Sequence, residues 1–122
     1  MRASRSFCDL MNILLTNYRN NAKLHGICTF SGDSKQTNRA YDELLRTLKV
    51  LVSNNADNLL FSLYEDDDLF VQLWVAAHTL ELDEQRAIDK LQGLVDSGAP
   101  IVSMSAKYTI SGWNEGGLRV RT

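Results

Sequence analysis

Residues 65–82 read Glu65-Asp66-Asp67-Asp68-Leu69-Phe70-Val71-Gln72-Leu73-Trp74-Val75-Ala76-Ala77-His78-Thr79-Leu80-Glu81-Leu82. Four acids stand immediately before twelve residues, of which only Gln72, His78 and Thr79 are polar. An acid before an apolar run is a helix start, because its carboxylate accepts the free N–H groups of the first turn. A helix that is apolar nearly all round is buried between layers rather than lying on a surface. Ala76 and Ala77 are small enough for a neighbouring helix to come close, and Ala77 is expected to face one.

Working outward, the same pattern returns. Asp83 caps a helix with the stripe Ala87, Ile88, Leu91, Leu94, Val95. Gly98 stands where a left-handed C-terminal glycine belongs, and Pro100 suits a first helical position. A last helix over about Ile101–Trp113 presents Val102, Ala106, Ile110 and Trp113. Upstream, a short helix carries Leu59, Leu60 and Leu63. Before it, Lys35–Ser53 shows the stripe Thr37, Tyr41, Leu44, Leu48, Leu51, with Asn54-Asn55 as its stop. The first helix, from about Arg5 into the twenties, repeats Phe7, Leu10, Met11, Leu14, Leu15, Tyr18 at spacings of three and four. Its extension through Ala22, Leu24, Ile27 and Cys28 is weakened by Gly26. Ser31-Gly32-Asp33-Ser34 is the break, with Asp33 or Ser34 as the next cap.

Leu60 and Leu91, Leu63 and Leu94, Val71 and Val102, and Val75 and Ala106 are each 31 residues apart. Each unit is a helix, a break and a second helix. Two such units stack as in an α-solenoid, and residues 1–54 then cap the open end. Two amphipathic helix pairs also fall into register by chance. The reading is all-α: a helical repeat of about six helices in stacked antiparallel pairs. It forms one domain over 1–117, with 56–117 as two helix pairs and 118–122 as a tail.

Residues 50–100 carry ten acids against Arg86 and Lys90, whereas residues 1–49 carry eight bases and four acids. An acidic section repels nucleic acid and favours a basic partner. Helix N-termini also collect acids, which accounts for one or two of Glu65–Asp68 but not for all four. No apolar run approaches the roughly 18 residues of a membrane span, and the N-terminus lacks a signal-peptide pattern. A cytoplasmic chain with Cys8 and Cys28 reduced is expected. His25 and Cys28 have no second ligand pair, so a half-exposed histidine and a buried thiol are expected rather than a zinc site. There is no G-x-S-x-G, no phosphate loop and no calcium-loop spacing, so neither an enzyme nor a cofactor is expected. Trp74 and Trp113 read as core residues.

The pattern Leu59-Leu60, Leu63, acidic turn, Val71, Ala76-Ala77, Leu80 resembles a HEAT/ARM-like repeat. Gln72 stands where HEAT repeats usually carry a base, which puts that residue's ladder contact in question. Residues 71–80, then Ala87, Leu91 and Leu94, then Ser105-Ala106, Thr109-Ile110 and Trp113, together with 38–44, resemble a small bacterial HEAT-like domain-of-unknown-function family. Its members resemble immunity proteins encoded beside polymorphic toxins, including those of contact-dependent growth inhibition. The resemblance implies a protein that neutralises one cognate toxin, commonly a basic nuclease, as a monomer in a one-to-one complex, with no nucleic acid and no membrane partner. The partner-binding candidates are Glu65, Asp66, Asp67, Asp68, Glu81 and Glu84. A helical-repeat adaptor in a bacterial regulatory complex is the alternative.

Overall fold

A computed structural model describes residues 6–116. The chain divides into two compact units, Met1–Leu59 and Leu60–Thr122. All regular structure among the described residues is helical: α1 (Phe7–Ser31), α2 (Ser34–Ser53), a 3-10 helix (Asp57–Leu63), α3 (Leu69–His78), α4 (Glu84–Val95) and α5 (Pro100–Asn114). The all-α, six-helix repeat reading therefore stands. The expected tail, 118–122, lies outside the described residues. No described helix is long and apolar enough to cross a membrane.

The first unit is a helical hairpin. Ser6 starts α1 by accepting the Asp9 N–H. Gly32 ends it in the left-handed region at φ 82°, where a side chain would be strained. The Asp33 N–H returns to the Cys28 carbonyl at 3.0 Å, the six-to-one bond of a Schellman turn. Asp33 at once caps α2 by accepting the Gln36 N–H, so two residues reverse the chain. Met11, Tyr18, Ala22, Gly26 and Cys28 are buried on α1, and Ala40, Leu44, Thr47, Leu48 and Leu51 on α2. The α1 helix crosses Gly26 without a break. A buried glycine on the inner face leaves room for close packing.

In the second unit α3, α4 and α5 share one core. Leu73, Ala76 and Leu80 meet Ala87, Leu91, Leu94, Val102 and Ala106. Burying each leucine contributes roughly 1.5–3 kcal/mol. Val71 and Val75 are also wholly buried. At 100° per residue, the buried positions of α3 and its C-terminal turn cover more than half of the circumference, as an all-apolar helix requires. Ala76, not Ala77, is the residue in close contact: Ala76 is fully buried and Ala77 half-buried. Ala77 lies one step round the helix from the arc through 73, 76 and 80, on the side of half-buried Phe70 and Trp74.

The 31-residue register holds in burial. Leu60 and Leu91, Val71 and Val102, and Val75 and Ala106 are each at most 2% exposed. The register does not hold in length. The first pair joins a seven-residue 3-10 helix to a ten-residue α-helix, the second a twelve- to a fifteen-residue α-helix. Leu63 is half-buried where Leu94 is buried. Pro100 takes the first position of α5, and Gly98 has φ 82°. Ser103 Oγ donates to the Val95 carbonyl at 2.6 Å, satisfying one of the carbonyls that the end of α4 leaves open.

Candidate functional site

The four-acid turn separates into two structural carboxylates and two outward ones. Asp68 Oδ1 accepts the N–H groups of Phe70 and Val71, at 2.9 and 3.2 Å. Asp66 Oδ1 accepts the Asp68 N–H at 2.9 Å, and the Asp66 carbonyl accepts Gln72 Nε2 at 2.6 Å. Gln72 thus keeps a tie to the acidic turn, through backbone rather than through a charge. Asp66 and Asp68 are half-buried, Asp67 is exposed, and the Glu65 side chain is 92% exposed.

Glu81 and Glu84 follow α3, and the acidic turn precedes it. Ten helical residues, about 15 Å of rise, stand between them, so the six candidates do not form one patch. Glu84 accepts Trp113 Nε1 at 2.6 Å, joining the start of α4 to the last turn of α5. Asp83, between the two glutamates, caps α4 through the Arg86 N–H. Trp113 packs against the core while half-exposed, and Trp74 is half-exposed beside His78, at 5.3 Å between ring centroids. Both tryptophans were expected in the core, and each keeps one edge outside it.

The two bases of the acidic section were not singled out by the sequence reading, yet they organise this surface. Arg86 lies over the rings of Phe61 at 4.4 Å and Tyr64 at 5.0 Å. Lys90, one turn further along α4, lies 5.8 Å from the Tyr64 ring and 3.7 Å from Glu65. The sequence signal was present: the only bases between 50 and 100 are spaced i, i+4, which places them on one helix face. They line an open groove of ≈ 490 Å³ with Tyr64, Glu65, Gln72 and Asp89. Beneath it, the Tyr64 hydroxyl and Thr79 Oγ1 are 2.5 Å apart, and Thr79 Oγ1 also donates toward the Val75 carbonyl at 2.7 Å. Burial raises the Tyr64 pKa, as does the Asp83 carboxylate, while the Thr79 hydrogen bond and the Arg86 charge oppose the rise. A neutral phenol is therefore what anchors the cationic side chains.

His78 is buried, and loss of solvent lowers its pKa to about 4. His25 is half-buried beside Tyr41, its pKa also lowered by burial. Cys28 is a buried free thiol and Cys8 an exposed one. Among the described residues no group of three or more His, Cys, Asp or Glu side chains is placed to hold a metal ion. The surface offers fixed carboxylates, two stacked cations and half-exposed indole edges, a set suited to binding another polar surface.

No family model, curated protein or solved structure matches the chain.

Proposed function

We propose that this chain is a bacterial immunity protein that acts in the cytoplasm. It binds a cognate toxin of the polymorphic or contact-dependent growth-inhibition kind by direct protein–protein contact. The target is a basic domain, most simply a nuclease whose substrate groove is lined with lysine and arginine. The observation that carries this reading is the charge of the second unit. Residues 60–122 hold ten carboxylates against five bases. Two of those bases, Arg86 and Lys90, are occupied with Phe61, Tyr64 and Glu65. Glu65, Asp67, Glu84, Asp89 and Asp96 are exposed. Such a surface attracts a basic cleft, speeds association and makes it sensitive to salt.

The test separates charge from folding. Asp68 caps α3, so reversing it would disturb the helix as well as the surface. Glu65→Gln combined with Asp67→Lys changes the outward charge and leaves the cap in place. The double variant should fold as the parent does, associate with the toxin more slowly, lose much of the salt dependence of association and protect cells less. Unchanged kinetics with full protection would move the interface away from the acidic turn. A parent chain that neither binds a co-encoded toxin domain nor protects cells from it would defeat the immunity reading itself.

A further inference from the structure

Within the second unit, Arg86, Lys90 and Gly93 line the open groove of ≈ 490 Å³. Their spacings of four and three put them on one face of α4. The two cations stand toward one end of this line and the glycine toward the other.

Arg86 is held in place but not paired. Its guanidinium carbon lies 4.4 Å from the centre of the Phe61 ring and 5.0 Å from that of Tyr64. Ring faces engage the charge, yet they are not the oxygen acceptors that the planar fork of an arginine is shaped to meet. Among the described residues the Arg86 side chain makes no hydrogen bond and no ion pair, although residues 60–122 hold ten carboxylates. The nearest acids in sequence serve other donors. Asp83 accepts the backbone N–H of Arg86, and Asp89 accepts the Gln85 amide at 2.8 Å. Lys90 is paired only loosely. Its side chain is 22% exposed, whereas that of Glu65, its partner at 3.7 Å, is 92% exposed. The separation exceeds a hydrogen bond, and an exposed carboxylate at that distance is easily replaced by another. At Gly93 an added Cβ would meet nothing within 4 Å. The backbone of α4 is therefore open to the groove there, and a second chain can approach it closely.

We infer that this groove receives a segment of a protein partner bearing one carboxylate side chain, with the carboxylate between Arg86 and Lys90 and the segment's backbone over Gly93. The two cations are one helical turn apart, about 6 Å of rise, which a single carboxylate can bridge with charge-assisted hydrogen bonds. Nucleic acid is the poorer match. Its phosphates repeat along the strand, and Glu65 and Asp89 line the same groove, so an isolated negative charge fits where a row of them is repelled. Identifying the partner with a toxin rests on the preceding proposal; the groove itself does not. On an acidic face that attracts basic proteins in general, a fixed cation that must meet an acid discriminates among them.

The probes are two blocked peptides, acetyl-Gly-Leu-Glu-amide and its glutamine counterpart. Binding to the whole chain is followed in proton–nitrogen correlation spectra through the Arg86 Nε signal and the backbone signals of Lys90 and Gly93. The glutamate peptide should shift all three saturably, and bind roughly tenfold more tightly than the glutamine peptide. Arg86→Met keeps an apolar side chain over the rings without the charge, and should weaken the glutamate peptide by about the same factor. Gly93→Leu should fill the groove and abolish binding while helix content is kept or raised, since leucine suits a helix better than glycine. Misfolding would not produce that combination. Equal affinity for the two peptides, or undiminished binding in both variants, would overturn the inference. So would tighter binding of a short single-stranded oligonucleotide than of the glutamate peptide. A chain that takes the glutamate peptide but binds no co-encoded toxin domain would defeat the toxin reading and uphold the groove.

Discussion

The two units handle apolar and charged surface in opposite ways. On α1 the exposed large apolar residues are Phe7, Leu10, Ile13, Leu24, Ile27 and Phe30, while α3, α4 and α5 together expose only Met104 and Tyr108 to that degree. The charges reverse the pattern, with eight bases against five acids over 1–59 and ten acids against five bases over 60–122. A two-helix hairpin has one inner face per helix, so a helix with apolar residues on two sides must leave one side out. Three mutually packed helices enclose a common core and can confine their apolar residues to it. The hairpin therefore carries exposed apolar side chains on α1, and the second unit carries exposed carboxylates.

The largest effects should come from the enclosed core. Leu91→Ala empties a site with no exposure and should lower stability by about 2–5 kcal/mol in urea denaturation. Leu24→Ala in dilute solution should leave the midpoint unchanged, because that leucine lies on the outer face. Equal losses from the two would erase the contrast between enclosed and open apolar surface. By the same reasoning, Ala76→Trp should be far more damaging than Ala77→Trp, whose site has one side free.

Next in size is a pH effect confined to the second unit. An unfolded imidazole protonates near 6.5, but buried His78 stays neutral down to about 4. Between these values the unfolded chain binds more protons than the folded one. The contribution is therefore intact above pH 6.5 and is lost progressively as the pH falls toward 4, by up to roughly 3 kcal/mol. Denaturation midpoints of the parent and His78→Gln, followed from pH 7 to 4.5, should converge as the parent weakens. A parallel decline in both would assign the acid sensitivity elsewhere.

Smaller effects divide the acidic turn. Asp68→Ala removes the acceptor for two N–H groups and should cost about 1 kcal/mol. Asp67→Ala should not move the thermal midpoint, because Asp67 is exposed and caps no helix. Tyr64→Phe removes the hydroxyl paired with Thr79 and should cost on the order of 1 kcal/mol. It should leave the rings beneath Arg86 in place.

Much of the backbone was legible because its signals are local. Asp33, Asp68 and Asp83 cap helices, and Gly32, Gly98 and Pro100 mark their ends where the residue types require it. Each of these acts through groups within four residues, and no tertiary information is needed to read them. The acidic turn was legible as a cap and as surplus charge, but not in its division. The Asp66 carboxylate takes the Asp68 N–H and the Asp68 carboxylate the first N–H groups of α3, while Gln72 reaches the Asp66 carbonyl. The groove beside it was less legible still, because the shelf under Arg86 is made by Phe61 and Tyr64, more than twenty residues earlier.

The sequence by itself determined that this chain is all-α, where most of its helices begin and end, and that its middle is acidic. Hydrogen-bonding capacity, backbone freedom and charge belong to single residues and their near neighbours. Only the tertiary structure decided that Ala76 rather than Ala77 is enclosed, that Trp113 bonds to Glu84, and that Leu10, Ile13, Leu24 and Ile27 face outward. On α1 the apolar residues fall on two sides, and periodicity assigns a helix without saying which side will be covered. That choice is made by the helix packed against it, since a face is buried only when another surface of matching shape removes it from water.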